Sequence, residues 1–316
     1  MKIKELTVGD HCSIPLLVVS ATKRETKAKK PYLQLEFTDG IDKINGNYWD
    51  WAGTKIPERN AILNVVGTTT EWQGTKQINI VAMTTNTEMH LSEFLPSSGS
   101  DVAEVYKHAY AFADGLSDNY LRGLCLGILE ELQGLWLTVP AANSIHHAYV
   151  AGTLIHSLST ARLAKVLAET IPEANVELAM AGGLLHDIGK LFGYKMDGVV
   201  CMMTDEGMLF EHLHMGAEFV DNYSDGLIKT EADAAKLQII RHIILSHHGK
   251  LEYGAVVTPA CIEAHIVYHA DTLDATTEMI RVAGGKAASA KWTEKIWALE
   301  NKPHLNPEYI QVVMLS

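Results

Sequence analysis

Residues 182–190 read Gly182-Gly183-Leu184-Leu185-His186-Asp187-Ile188-Gly189-Lys190. An apolar run from about Val176 carries helical periodicity into an adjacent His–Asp pair, and Gly189 stands where a helix commonly stops. Neighbouring helix residues project about 100° apart. The imidazole of His186 and the carboxylate of Asp187 can therefore reach one metal ion from two sides, or the carboxylate can bridge two. Lys190 follows at once and suits a phosphate oxygen.

Working outward, eleven of the fifteen histidines lie between His146 and His269. Neutral imidazole offers a nitrogen lone pair near pH 7, which makes histidine the commonest metal-binding side chain. From Ser144 to about Ile280 the pattern is helical, with breaks at Pro172, Gly189–Gly207, Tyr223–Gly226 and Gly249–Pro259. The four cysteines, Cys12, Cys125, Cys201 and Cys261, are far apart, with no C-x-x-C pair. They read as thiols of a reducing cytoplasm, not as a disulfide frame or a thiolate zinc site.

The first 85 or so residues have a different period. Ile14–Ala21, Tyr32–Thr38, Ile41–Trp51, Ala61–Thr70 and Lys76–Thr84 alternate as strands, with turns at Asp39-Gly40 and Gln73-Gly74 and a short helix near Thr54–Arg59. Five short strands in this order predict an OB-fold barrel. Asp101 can cap a helix that runs on through Val102–Leu132. The expected organisation is an OB-fold domain over 1–88, a linker and helical segment over 89–143, an all-α domain over 144–285, and a tail over 286–316 that packs on the helices.

The chain has 316 residues, 47% of them hydrophobic and 20% charged, which excludes disorder as the main state. Residues 132–161 carry no Asp, Glu, Lys or Arg, but Pro140, Asn143, His146, His147 and His156 make the run too polar to span a bilayer. Net charge is −12, unevenly spread: residues 1–80 hold 11 basic and 9 acidic groups, and residues 81–316 hold 15 and 29. A protein that coats nucleic acid uniformly would be basic overall, so contact with a polyanion must be local. Lys23, Arg24, Lys27, Lys29 and Lys30 fall between the first two strands, where an OB-fold lines its groove. Tyr32, Phe37, Tyr48, Trp49, Trp51 and Trp72 are interleaved with the strands. By alternation, half of these rings fill the barrel and the rest, Tyr32 and Trp49 among them, can stack bases.

The His–Asp pair with its surrounding histidines resembles the HD-domain metal phosphohydrolases. That resemblance assigns His156, His186, Asp187, His212, His247 or His248, and Asp271 as metal ligands. The intervening histidines imply two divalent metals rather than one. His214 competes with His212, and the choice between His247 and His248 stays open, since both can reach the site. The stretches SIHHAYVAGTLIHSLSTARLA, GGLLHDIGK, ILSHHGKLEYG and HADTLDA, behind an OB-like barrel, are similar to the YhaM-type 3′→5′ exoribonucleases. The likeness implies manganese as the favoured metal (iron, cobalt, nickel, zinc or magnesium being alternatives), single-stranded RNA or DNA as partner, and nucleoside 5′-monophosphates as product. Asp187 and Lys190 are the expected catalytic residues, with His146, His147 and Lys250 as expected substrate contacts. His242, His265 and His269 are expected in the core or on the surface, and His11, His90, His108 and His304 as structural or solvated. Asp274 and Glu278 share a helix face with Asp271 and are expected either behind the ligands or in solvent. Two rival readings are a phosphodiesterase of a small cyclic or linear nucleotide and a non-catalytic nucleic-acid-binding protein with structural metals. Oligomeric state, a homo-oligomer included, is left open.

Overall fold

The structure, a computed structural model, describes residues 2–49, 51, 53, 55–95, 99–142, 147–198, 200–287 and 290–315. It divides into two compact units, Met1–Ser97 with Met196–Val200, and Ser98–Lys195 with Cys201–Ser316.

The first unit is built on β1 (His11–Glu25), β2 (Pro31–Thr38), β3 (Lys43–Tyr48), β4 (Ile62–Trp72) and β5 (Thr75–Thr85). They close into a barrel in the order β1-β2-β3-β5-β4. β1 makes closure possible by serving two neighbours: His11 to Leu17 pair with β4, and Leu17 to Glu25 pair with β2. Its register shifts between Val18 and Ser20, where a bulge bends the strand from one partner to the other. β3 and β5 run parallel, with Asn45 opposite Gln77. Alternate residues Leu33, Leu35 and Phe37 of β2 meet Ile14, Leu16, Val65 and Ile78 in the core. This is the five-stranded Greek-key barrel of an OB-fold.

Two local expectations differ from the structure. The third strand is shorter than the pattern over Ile41–Trp51 suggested. No helix forms near Thr54–Arg59; Thr54 lies outside the described residues, and 55–60 are loop with a turn at Arg59-Asn60. Pro57 lacks an amide hydrogen and pushes the residue before it away from helical angles. Within the expected linker, Leu91–Phe94 form a 3-10 turn that buries Phe94 against Leu17.

The second unit is helical. In chain order it has α1 (Val102–Asp114), α2 (Asn119–Glu131), α3 (Gln133–Trp136), α4 (Gly152–Glu169), α5 (Val176–Leu185) and α6 (Lys190–Gly193). After β6 (Tyr194–Asp197) and β7 (Val200–Met203) come α7 (Asp205–Ser224), α8 (Glu231–Ser246), α9 (Ile262–Lys286) and α10 (Pro307–Leu315). Asp101 caps α1 by accepting from the Ala103 and Glu104 amides. α5 is apolar on every side, and Leu178 through Leu185 are all buried, so it runs through the middle of the unit. Trp136, Leu124, Ile128, Leu154, Ile243 and Val267 pack in the same core. α4 begins at Gly152, not near Ser144 as expected. His147 and Ala151 take φ of 46° and 58°, angles that a right-handed helix excludes. The β6–β7 hairpin, inside a predicted break, was not foreseen. Asn306 Nδ2 donates to the carbonyls of Gly284 and Ala290 and ties the tail to the end of α9. No helix among the described residues is long and apolar enough to cross a membrane.

Candidate metal centre

Five segments, distant in sequence, deliver the polar residues of this core. His156 comes from the middle of α4, His186 and Asp187 from the turn after α5, and His212 from α7. His247 and His248 directly follow α8, and Asp271 lies on α9. Gly189 is glycine because of a close backbone approach. Its φ is −64°, and a Cβ there would lie 1.9 Å from the His212 carbonyl oxygen. The absent side chain lets the turn after α5 press against the backbone that carries His212.

Asp187 sits at the centre of the arrangement. Its Oδ2 faces His156 Nε2 and His186 Nε2, each at 3.4 Å. Its Oδ1 faces His212 Nε2 at 3.4 Å and His247 Nε2 at 3.5 Å. On the Oδ2 side, Asp271 Oδ1 stands 3.1 Å from His156 Nε2 and 4.0 Å from His186 Nε2. On the Oδ1 side, His248 joins His212 and His247 with ligand atoms within 4.8 Å of one another. The carboxylate thus lies between two groups of nitrogen and oxygen ligands that meet at His247, which also comes within 4.8 Å of His186 and Asp271.

Most of these rings are aimed from behind. The Nδ1 of His186 donates to the Gly183 carbonyl and that of His247 to the Ile244 carbonyl, each at 2.8 Å. His156 Nδ1 donates to Asp274 Oδ2 at 2.7 Å. Each contact fixes the tautomer and turns Nε2 inward. Asp274 also accepts from Ser159 and from His147 Nε2, the latter at 2.8 Å. His147 is therefore placed behind His156, its ring buried and engaged by Asp274 and Tyr149. His146 lies outside the described residues. Asp274 is the supporting residue whose weight the sequence left undecided between structure and solvent.

The electrostatics follow from burial and pairing. Burial opposes ionisation of Asp187, but Lys190, His186 and His247 outweigh it and hold the carboxyl well below its usual range. Burial likewise opposes a charge on His156, yet Asp271 and Asp274 raise that ring to about 9. Asp271 and Asp274 are themselves lowered, burial being overcome by His156 and, for Asp274, by His147 as well. Burial lowers His186 and His212, and with His247 and His212 alongside it takes His248 down to about 3.

These residues fit a divalent cation on internal grounds. Asp187 Oδ1, His212 Nε2 and His248 Nδ1 are buried without an aligned hydrogen-bond partner among the described residues. Such atoms are costly unless something absent from the protein satisfies them. His156 Nε2 and His186 Nε2 meet at 3.2 Å, and with both Nδ1 atoms already donating, neutral rings would point two lone pairs at each other. A proton or a metal must lie between them. Ligand separations of 3.1–4.0 Å on the Oδ2 side suit a cation about 2.1 Å from each ligand, for which tetrahedral edges are about 3.4 Å.

The remaining expected site residues are placed as follows. Lys190 is buried, with Nζ 2.7 Å from Asp187 Oδ2. His214 is exposed beside Glu218, whereas His212 points inward. Lys250 is on the surface, near Glu252 and over the Tyr253 ring. His242 Nε2 accepts from the Ala260 amide, and His265 and His269 line an apolar groove with Leu167, Ile171 and Ile266. Glu278 is buried and paired with Arg281.

On the barrel, Lys23 and Arg24 end β1, and Lys27, Lys29 and Lys30 are exposed in the turn before β2. The rings of Tyr32 and Trp49 stack at 4.5 Å with planes 31° apart. Trp49 Nε1 donates to Asn79 Oδ1 at 3.2 Å, and Asn47 Nδ2 to Gln77 Oε1 at 3.0 Å. Phe37 and Trp51 are buried, and Trp72 is exposed at the β4–β5 turn. The amides of Asn47, Gln77 and Asn79 were not singled out from sequence. Strand alternation puts Gln77 and Asn79 on one face, so period two was the available signal.

The HD-domain family model matches residues 153–276 of the chain. HD domains bind divalent metals and hydrolyse phosphate esters, and the match over 153–276 indicates a metal-dependent phosphohydrolase. Two solved structures from Methanococcus maripaludis are similar to part of the chain. A crystal structure of a domain of replication protein A is 26% identical, covers 27% of this chain and 92% of its own, and has a TM-score of 0.24. A solution structure of the second OB-fold domain of replication protein A is 18% identical, covers 28% and 97%, and has a TM-score of 0.25.

Proposed function

We propose that a chain with an HD domain over residues 153–276 and an OB-fold barrel is a metal-dependent nuclease that shortens single-stranded RNA from its 3′ end. It releases nucleoside 5′-monophosphates and accepts single-stranded DNA as an alternative substrate. The observation that carries this reading is Asp187, whose two oxygens face separate groups of imidazoles. A single structural metal needs no bridging carboxylate. Direction and product follow from the likeness to the YhaM-type enzymes.

His156, His186, Asp187 and Asp271 would hold one divalent ion, and Asp187, His212, His247 and His248 the other, with manganese suited to this nitrogen and oxygen set. Such ions supply Lewis-acid charge on the phosphoryl oxygens and make hydroxide available near neutral pH. The chain's own residues bind and orient. Asp187 keeps its negative charge, because Lys190 and the neighbouring rings hold its carboxyl ionised. Lys190 keeps its proton: burial works against the ammonium, but Asp187 outweighs burial and raises it. That ammonium would stabilise charge growing on the non-bridging oxygens. On the barrel, Tyr32 and Trp49 would stack bases while Lys23, Arg24, Lys27, Lys29 and Lys30 track phosphates.

The test uses 5′-labelled single-stranded RNA and DNA with manganese, with and without a chelator. A metal-dependent ladder that shortens from the 3′ end is expected, and the faster strand names the preferred nucleic acid. Asp187→Asn should lose cleavage and keep strand binding. Intact strands beside hydrolysed cyclic dinucleotides or nucleoside triphosphates would replace this reading with a small-nucleotide phosphodiesterase.

A further inference from the structure

Building on that reading, we infer that the two metal positions are unequal: the Asp187 Oδ2 side is a resident site that keeps its ion, and the Oδ1 side is an exchangeable site filled from solution. The contrast lies in what stands behind each ligand.

On the Oδ2 side every imidazole is fixed. His186 donates to the Gly183 carbonyl and His156 to Asp274. Asp274 is fixed in turn by Ser159 and His147, and Tyr149 reaches back to Glu278 at 3.4 Å. His156 and His186 are fully buried, as is His247 on the other side, so bracing rather than burial separates the two positions. Ligands held in place before the ion arrives lose little freedom when it binds.

The Oδ1 side is looser. Among the described residues, only His247 of its three imidazoles has a ring hydrogen bond that braces it from behind. His212 Nδ1 faces Glu211 Oε2 at 3.8 Å, too far for a hydrogen bond. Glu211 holds φ 59° and ψ 152° in the middle of α7, a region almost confined to glycine and a form of stored strain. Its carboxylate is largely in solvent. His248 is half-buried, and neither of its ring nitrogens has a hydrogen-bond partner among the described residues. An ion entering here must order His248 and His212 itself, which weakens binding. Asp274 is thus a positioning residue for one site only.

The full chain is loaded with manganese, gel-filtered into metal-free buffer and analysed for metal. Manganese is then titrated back while free Mn(II) is read by electron paramagnetic resonance. We expect one equivalent retained and a second that binds at least about tenfold more weakly. Loss of an outer hydrogen bond to a ligand typically costs about 10–100-fold in metal affinity. Asp274→Asn should therefore weaken the retained equivalent by that factor and leave the other. Circular dichroism checks folding; if Asp274→Asn unfolds, Ser159→Ala removes a single donor to Asp274 and should act on the retained ion in the same sense. Two equivalents of equal affinity, or Asp274→Asn acting on the weaker one, overturn the inference and leave the proposed nuclease standing. Unequal binding by a protein that cleaves no strand overturns the nuclease and leaves the inference. A folded chain that binds no manganese overturns both.

Discussion

Gly189→Ala isolates the packing that brings His212 to Asp187. The new Cβ would lie 1.9 Å from the His212 carbonyl oxygen, 2.8 Å from its carbon and 2.7 Å from the Gly216 nitrogen. All three are backbone atoms, so no side chain can rotate aside. Non-bonded heavy atoms settle about 3.5 Å apart, so α7 has to retreat by more than about 1 Å. Overpacking of this kind costs about 1–3 kcal/mol. For a unit of this size that is a fall of about 3–10 °C in melting temperature. The same retreat draws His212 Nε2 from its 3.4 Å approach to Asp187, and a misplacement of about 1 Å in a catalytic constellation can cost about 100-fold in rate. Thermal melting, manganese content and strand cleavage are measured together, beside Gly226→Ala, whose Cβ meets nothing within 4 Å and should match the wild type. If Gly189→Ala melts and cleaves as the wild type does, the close packing of this turn on α7 does not set the site.

Other outcomes are equally specific. Without metal, His156 is raised to about 9 by Asp271 and Asp274 against the effect of burial, so at pH 7 an incoming ion must displace its proton. Apparent metal affinity should rise about tenfold per pH unit up to about pH 9; calorimetry in buffers of different ionisation enthalpy that finds no proton release refutes this. Because that folded value lies above the unfolded one, the metal-free protein keeps the corresponding stability below about pH 6.5. It should lose about 3 kcal/mol of it as pH rises through 9, read from denaturant midpoints. Replacing Lys23, Arg24, Lys27, Lys29 and Lys30 with Ser should flatten the salt dependence of strand binding by about 0.7 in log–log slope per lost phosphate contact, and an unchanged slope would place the grip elsewhere. Trp49→Ala should weaken binding by about 1–3 kcal/mol; fluorescence anisotropy with a labelled strand reads the loss.

Legibility from sequence followed the range of the interaction. Alternation in Tyr32–Thr38 and the apolar run of Val176–Leu185 report whether a face is buried, a property set within a few residues, so the barrel strands and α5 could be read directly. The absence of a helix at 55–60 was also local, written in Pro57. The His186–Asp187 pair was legible because adjacent residues share one turn. The role of His147 was not: its partner Asp274 is 127 positions away, and only the packing of α9 beside α4 brings them together. His212 and His214 are alike in sequence, and the kink at Glu211 and the approach of Gly189 separate the inward ring from the exposed one. By itself, the sequence determined a barrel followed by helices and the types of ligand available, because composition and period are local. Which rings turn inward, what braces each of them and that Asp187 faces two groups at once were decided only by tertiary structure, because hydrogen bonds and close backbone approaches join residues that chain order keeps apart.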